Sequence, residues 1–233
     1  MKKSIAIIPA RGGSKRISRK NIKDFFGKPL IAYSIEVALN SKLFDKVIVS
    51  TDDEEIAEIA RKYGAETPFI RPKNLSDDFT GTGAVVHHAL NFLKSHGEEF
   101  NYLCTLYATA PLLEVKYLQE GLEKLKNSDA HMTFSATSMP FPIQRTFKIT
   151  QEGRCQMFTP EHFNTRSQDL EEAYQDAGEF YFENLNTPHH DIAFGKESIP
   201  ILLPRYLVQD IDTLEDWKRA EMLYEILHKK EKK

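Results

Sequence analysis

The sequence predicts an α/β fold, with a mostly parallel sheet, flanking helices and one long excursion. Three observations carry that prediction. Short apolar runs of strand length alternate with amphipathic runs of helix length from Ser4 to about Ala136. The first strand opens into a glycine pair among cations, at the carboxyl end where open α/β sheets gather their ligands. Beyond Ser138 the alternation lapses, and strand-like segments return only near Glu179.

Ser4 to Ile8 is an apolar run bounded by Pro9, the pattern of a strand covered on both faces. A helix is expected from about Pro29 to Asn40, where proline suits the first turn and Leu30, Tyr33, Ser34, Val37 and Ala38 share a face. Lys46 to Ser50 is a strand, and Asp52 or Asp53 then caps a helix that runs to about Tyr63 and stops at Gly64. Thr82 to Leu93 and Val115 to Lys126 are expected as helices, Tyr102 to Leu106 and Ala130 to Ala136 as strands. MPFPIQRTF holds two prolines, and no sustained amphipathic period follows it as far as Tyr174. Residues 138–176 are therefore expected to leave the sheet and to pair with a second subunit. Strands are expected at Glu179 to Phe182 and Arg205 to Val208, then a helix from Thr213 to about His228, with HKKEKK as a frayed, solvated tail.

Composition narrows the partners. A chain of 233 residues with 41% hydrophobic content can bury one substantial core, so residues 1–233 are expected as a single domain that carries 138–176 as an appendage. A formal net charge of −3 makes the N-terminal cations a local feature and excludes a basic nucleic-acid surface. Cys104 and Cys155 lie far apart with no CxxC or Cys/His cluster, which gives no metal or disulfide framework and suits a reducing compartment. No apolar stretch reaches the ~18 residues that span a bilayer, and no signal-peptide core precedes the polar loop; a cytoplasmic location without a membrane partner is expected.

The chemistry begins at IPARGGSKRISRKN. Gly12 and Gly13 can bring backbone N–H groups close to an anion while Arg11, Lys15, Arg16 and Arg19 neutralise it, Arg as a fork and Lys as a point charge. The plain alternative is a tight turn with solvated cations. A Walker loop and the G-x-G-x-x-G dinucleotide fingerprint are both absent. A second constellation is QDID, Gln209 to Asp212. In an extended stretch Asp210 and Asp212 point the same way, so their oxygens can converge on one hard cation such as Mg²⁺ that also touches substrate phosphates. Asp212 with Glu215 also fits a helix N-cap and capping box, a role compatible with metal binding.

Six motifs in register then resemble one family: IPARGGSKRISRKNI with GKPLIAYSI, VIVSTDDEEIA, RPKNLSDDFTGT, YATAPL, RSQDLEEAYQDAGEFY and QDIDTLEDW. Their order and spacing resemble the CMP-sialic acid synthetases, the cytidylyltransferases of nine-carbon acidic sugars, over almost the whole chain. DDFTGTGAVV, PFPIQRTF and AYQDAGEFY are similar to the branch that takes pseudaminate. The resemblance implies a Rossmann-like nucleotidyltransferase fold and a homodimer in which the 138–176 segment crosses to the partner and helps close the sugar site. It implies CTP and an acidic sugar as substrates, with Mg²⁺ as cofactor.

By position, Ala10, Arg11, Gly12, Gly13, Lys15, Lys20 and Asn21 match the family's loop for the CTP phosphates and ribose, and Arg71, Thr80 and Thr82 its cytosine site. Arg11 and Lys15 would stabilise the departing pyrophosphate, and Asp210 and Asp212 match the magnesium carboxylates. On the sugar side the implied residues are Tyr107, Gln144, Arg166, Gln168, Glu179 and Tyr181. There the chain departs from the sialic acid branch: Tyr107 stands where that branch has Gln, and Ala177 where it has Asn. These changes point away from N-acetylneuraminate, with legionaminate as a further alternative. A nucleotide-sugar glycosyltransferase would carry its acidic pair after an early strand, and a nucleotide sensor would bind CTP without releasing pyrophosphate.

Overall fold

The structure is a computed structural model that describes residues 2–188 and 193–229. Its central sheet has six strands: β1 (Ser4–Pro9), β4 (Lys46–Ser50), β5 (Tyr102–Leu106), β6 (Met132–Ser138), β9 (Tyr174–Asn184) and β10 (Ser198–Leu202), in the spatial order β10-β6-β9-β5-β1-β4. β1 pairs in parallel with β4 and β5, and β10 with β6, while β9 runs antiparallel to both its neighbours. The short pair β2 (Asp24–Phe25) and β3 (Lys28–Pro29) makes a tight hairpin before the first helix.

Among the described residues five α-helices flank the sheet: α1 (Leu30–Ser41), α2 (Glu54–Lys62), α3 (Thr82–Ser95), α4 (Val115–Lys126) and α5 (Leu214–His228). Strand alternation divides the core. Ala6, Ile8, Cys104, Phe180 and Phe182 pack with α1 and α4 on one face, while Ile5, Ile7, Ile48 and Leu103 pack with Val86, Ala89 and Leu93 of α3 on the other. A third cluster of Ile17, Phe25, Leu30, Tyr33, Ile211, Trp217 and Ala220 ties α5 to the segment after β1, so the C-terminal helix is held beside the cation loop.

The helix starts show how the sequence sets the boundaries. Asp53 caps α2 by accepting the Ile56 N–H at 3.1 Å, and the helix gives way to Gly64 at φ +95°. Pro29 is the N-cap of α1, one residue earlier than the first-turn position expected of it. The expected capping box moves by one: Thr213 caps α5 and Asp216 returns the bond, which releases Asp212 from that task.

One expected strand fails, and another is present but longer than expected. Arg205 to Val208 is not a strand; Arg205–Leu207 is a 3₁₀ turn that follows Pro204. The strand is instead β10, which the sequence hides because Pro200 lies within it; proline is accommodated there because β10 is an edge strand with only β6 beside it. β9 is also longer than expected and begins inside the excursion. Its register against β6 shifts between Phe134 and Ala136, where Gly178 takes φ +65° and the Ser135 hydroxyl accepts the N–H groups of Glu179 and Phe180, both at 3.1 Å. The hydroxyl satisfies donors that the bulge removes from the ladder.

Residues 139–173 leave the sheet as expected and carry a small hairpin, β7 (Phe147–Ile149) with β8 (Cys155–Met157). Phe141, Ile143, Phe147, Ile149, Phe158 and Phe163 are all exposed along residues 139–173. Of the expected lysine-rich tail, His228 and Lys229 continue α5 or its C-cap, and residues 230–233 lie outside the described residues.

Candidate active site

The loop after β1 is folded against carboxylates. Gly12 is required by a close approach: a Cβ there would stand 2.7 Å from a carboxylate oxygen of Asp53. The Gly12 N–H donates to Asp52 Oδ1 at 3.0 Å, so this backbone donor is already engaged. Arg19 closes the arrangement from behind, forked onto both oxygens of Asp53 at 2.9 Å and bound to Glu55 at 2.7 Å. That guanidinium holds the Asp53 carboxyl below the usual carboxylate range. The Asn21 side-chain amide donates to the Arg11 carbonyl at 3.0 Å and fixes where Arg11 starts its reach.

Arg11, Lys15, Lys20 and Asn21 line one cavity of about 350 Å³, together with Arg71, Thr80, Thr82, Tyr107 and Asp212. Residues from the start, the middle and the end of the chain thus meet in one space. Ala10, Gly12 and Gly13 are not among the lining residues. At one end of the cavity Arg71 is 3% exposed; its Nε donates to Ser76 Oγ at 3.2 Å, and its Nη2 approaches Asp52 Oδ1 at 3.5 Å. Burial pulls the Arg71 pKa down, against the pull of Asp52. Asp52 therefore touches both the loop after β1, through the Gly12 N–H, and Arg71. Thr80 donates through its hydroxyl and its N–H to Asp77 Oδ1, both at 2.7 Å, and Thr82 opens α3 with its hydroxyl 3.4 Å from the Tyr107 hydroxyl. Neither threonine caps α3: the N-cap is Gly81, without a side-chain cap bond.

The acidic wall comes from the segment before α5. Ile211 is fully buried between Asp210 and Asp212, so the two carboxylates share the opposite side of an extended stretch. Asp212 meets Arg16 at 2.9 Å and Lys20 at 3.3 Å, and Lys20 also donates to the Ile211 carbonyl. Asp212 borders a second cavity of about 340 Å³ lined also by Asp210, Asp216, Asp176, Ala177 and Arg219. Burial, and then the charge of Asp212, push the Asp210 carboxyl above its usual range. This repulsion is what a divalent ion would relieve.

The sugar-side candidates divide. Tyr107 and Tyr181 are close, with ring centroids 5.6 Å apart, and the Tyr181 hydroxyl donates to Asp176 Oδ2 at 2.5 Å. They join the two cavities through side chains, since Tyr107 lines the first and Asp176 the second. Glu179 is buried and lines neither; burial pushes its carboxyl well up, and its Oε2 has no hydrogen-bond partner among the described residues. Gln144, Arg166 and Gln168 also line neither cavity. Arg166 pairs with Asp169 at 2.7 Å, and Gln144 donates to the Glu171 carbonyl at 3.0 Å.

Sequence reasoning missed Asp52 and Asp78. Asp78 bridges Arg11, at 2.6 Å, and Lys15, while Arg11 also donates to the Asp77 carbonyl at 3.1 Å. The available signal was charge balance: each acidic pair, Asp52-Asp53 and Asp77-Asp78, lies in a loop that the topology brings to the cations of the first loop.

The sequence profile of the family described as cytidylyltransferase matches residues 5–230. The chain belongs to the cytidylyltransferase family, enzymes that use CTP. Within it, the chain is 50% identical over 227 residues to the pseudaminic acid cytidylyltransferase of Campylobacter jejuni, covering 97% of this chain and 98% of that one. It is 30% identical to the CMP-N,N'-diacetyllegionaminic acid synthase of Legionella pneumophila, covering 95% of this chain and 96% of that one. Among solved structures, CMP:2-keto-3-deoxy-manno-octonic acid synthetase complexed with CTP superposes with a TM-score of 0.67 at 15% identity, over 95% of this chain and 98% of that one, a likeness of fold. No helix of the described residues is long and apolar enough to cross a membrane.

Proposed function

We propose that this cytidylyltransferase activates pseudaminic acid, attaching CMP to it and releasing pyrophosphate. The observation that carries the reading is the convergence of Arg11, Lys15, Lys20, Arg71, Thr82 and Asp212 on one cavity from distant parts of the chain. Cationic heads there suit a triphosphate, and the buried Arg71 with the Thr82 hydroxyl suits a small base rich in acceptors. Pseudaminate as the acceptor is supported by the 50% identity to a pseudaminic acid cytidylyltransferase against 30% to a legionaminic acid enzyme. The Tyr107–Tyr181 pair beside Ala177 supports it too, as an aromatic surface for a sugar with a deoxygenated end.

In this reaction the C2 hydroxyl oxygen of the sugar acid forms a bond to the α-phosphorus as the bond to the β-phosphate oxygen breaks and the hydroxyl proton is lost. Arg71, Thr82 and Lys20 hold the nucleotide, and Arg11 and Lys15 meet the charge that builds on the leaving pyrophosphate. Asp210 and Asp212 offer two hard oxygen donors on one side of the chain, and the elevated Asp210 carboxyl fits a site built to receive a cation. They would hold Mg²⁺, which when bound neutralises phosphate charge.

We further propose a homodimer. Six exposed aromatic or aliphatic side chains on the 139–173 excursion, Ile143 among them, offer a surface suited to a second copy. Gln144, Arg166 and Gln168 lie on that excursion, away from their own chain's cavities, which fits residues delivered to a partner's sugar site. A cytoplasmic location is supported by Cys104 and Cys155, both free thiols, the second exposed.

Phosphorus-31 NMR of CTP, pseudaminic acid and Mg²⁺ with the protein tests the reaction. Free pyrophosphate should appear together with a CMP phosphodiester. CTP that stays intact in the presence of the sugar would reject transfer and leave a nucleotide binder.

A further inference from the structure

The two cations assigned to the leaving pyrophosphate are already occupied by the chain itself. Asp78 sets one carboxylate oxygen 2.6 Å from Arg11 Nη1 and the other on Lys15 Nζ. This contact spans more than sixty residues of sequence and is held in place by a built turn. Asp77 Oδ1 accepts the Phe79 and Thr80 N–H groups and the Thr80 hydroxyl, and Arg11 also donates to the Asp77 carbonyl. Asp78 lines the same cavity as Arg11, Lys15, Arg71 and Thr82, so its carboxylate stands inside the nucleotide site and not beside it. A carboxylate bridging an Arg fork and a Lys head makes the contacts that a phosphate oxygen pair would make.

We propose that Asp78 is an internal competitor for pyrophosphate: it occupies Arg11 and Lys15 before CTP binds, is displaced by the β- and γ-phosphates, and returns as the product leaves. The proposal rests on the placement of pyrophosphate at Arg11 and Lys15 made above. The three groups are partly exposed, with side-chain exposures of 38% for Arg11, 79% for Lys15 and 33% for Asp78, so the contact is screened by water and weak enough to be exchanged. The cations hold the Asp78 carboxyl below its usual range, which keeps it charged and competitive at neutral pH. Every ligand that needs Arg11 and Lys15 must displace it, whereas a nucleotide monophosphate held by its base and α-phosphate need not. Asp78 thus weakens the grip on the departing product while leaving CMP recognition alone.

Titration calorimetry with inorganic pyrophosphate, CTP and CMP, on wild type, Asp78→Asn, Asp78→Ser and Arg11→Ala at two salt concentrations, decides the matter. Both Asp78 variants should bind pyrophosphate and CTP about threefold to tenfold more tightly, the range that two exposed ion pairs span together, with CMP unchanged. The gain should shrink at high salt, which a purely structural role for Asp78 would not produce. Unchanged or weaker pyrophosphate binding in both folded variants, with Arg11→Ala also weakened, overturns the competitor and leaves the phosphate loop standing. Binding that is unchanged in Arg11→Ala as well overturns the loop assignment and the competitor together.

Discussion

On the proposed reading, the two substrates are served by regions built on different principles. The nucleotide side is knit together within the chain: Gly12 on Asp52, Arg71 between Asp52 and Ser76, Arg11 and Lys15 on Asp78, Lys20 on Asp212. Each cation has a carboxylate within reach, so the residues stand near their working positions before any ligand arrives. Gln144, Arg166 and Gln168, by contrast, sit on the 139–173 excursion, where their neighbours are local and the aromatic residues around them face outward. If the second half is completed by the proposed dimer, the two would respond differently to mutation: one loses affinity or turnover, the other loses the oligomer and the sugar together.

The largest expected effect is at Asp212, where the nucleotide half meets the proposed metal site. Asp212→Ala should lower kcat on the order of a hundredfold or more with the thermal midpoint nearly unchanged, because its pairs with Arg16 and Lys20 are partly exposed. Full activity with Mg²⁺ in steady-state assays would remove the metal role. Next is Arg71→Ala, which takes a buried guanidinium out of the base end and should weaken CTP binding by about tenfold to a hundredfold in calorimetry. An unchanged dissociation constant would take Arg71 out of the base site.

The sugar half is probed by mixing. If Asp212 works in its own chain's site and Arg166 in the partner's, an equimolar mix of Asp212→Ala and Arg166→Ala chains, dissociated and reassembled, should recover about a quarter of wild-type activity. A mix no more active than either parent would confine both residues to one chain's site and erase the contrast. The smallest effect expected is structural. Gly12→Ala would push a Cβ to 2.7 Å from Asp53, disturbing the α2 cap and the Arg19 fork, and should cost about 1–3 kcal/mol in denaturant melts. A variant as stable as wild type would mean that the loop can slide, and that the nucleotide half is less fixed than its contacts suggest.

What the sequence made legible follows the same division. Strands buried on both faces, such as Ser4–Pro9 and Tyr102–Leu106, and helices with clear caps could be read because period and punctuation are local signals. Asp210 and Asp212 could be read because alternation in an extended segment is local too, and Ile211 is indeed turned into the core. β10 was hidden by Pro200, whose tolerance depends on being at a sheet edge, a property of the whole sheet. The Ser135–Gly178 bulge and the Asp52 and Asp78 contacts were hidden for a related reason, since each joins segments some forty residues or more apart. The family motifs single out Tyr107, but the contact of its ring with Tyr181 depends on β5 and β9 lying side by side.

The most direct test of the account is the rate of CTP-dependent pyrophosphate release with Mg²⁺, measured as kcat/KM for pseudaminic, legionaminic and N-acetylneuraminic acids in parallel. The account predicts turnover with pseudaminate at a kcat/KM at least about a hundredfold above the other two, the discrimination expected of a site whose polar groups are matched to one acceptor. Equal rates with all three, or a preference for N-acetylneuraminate, would contradict it.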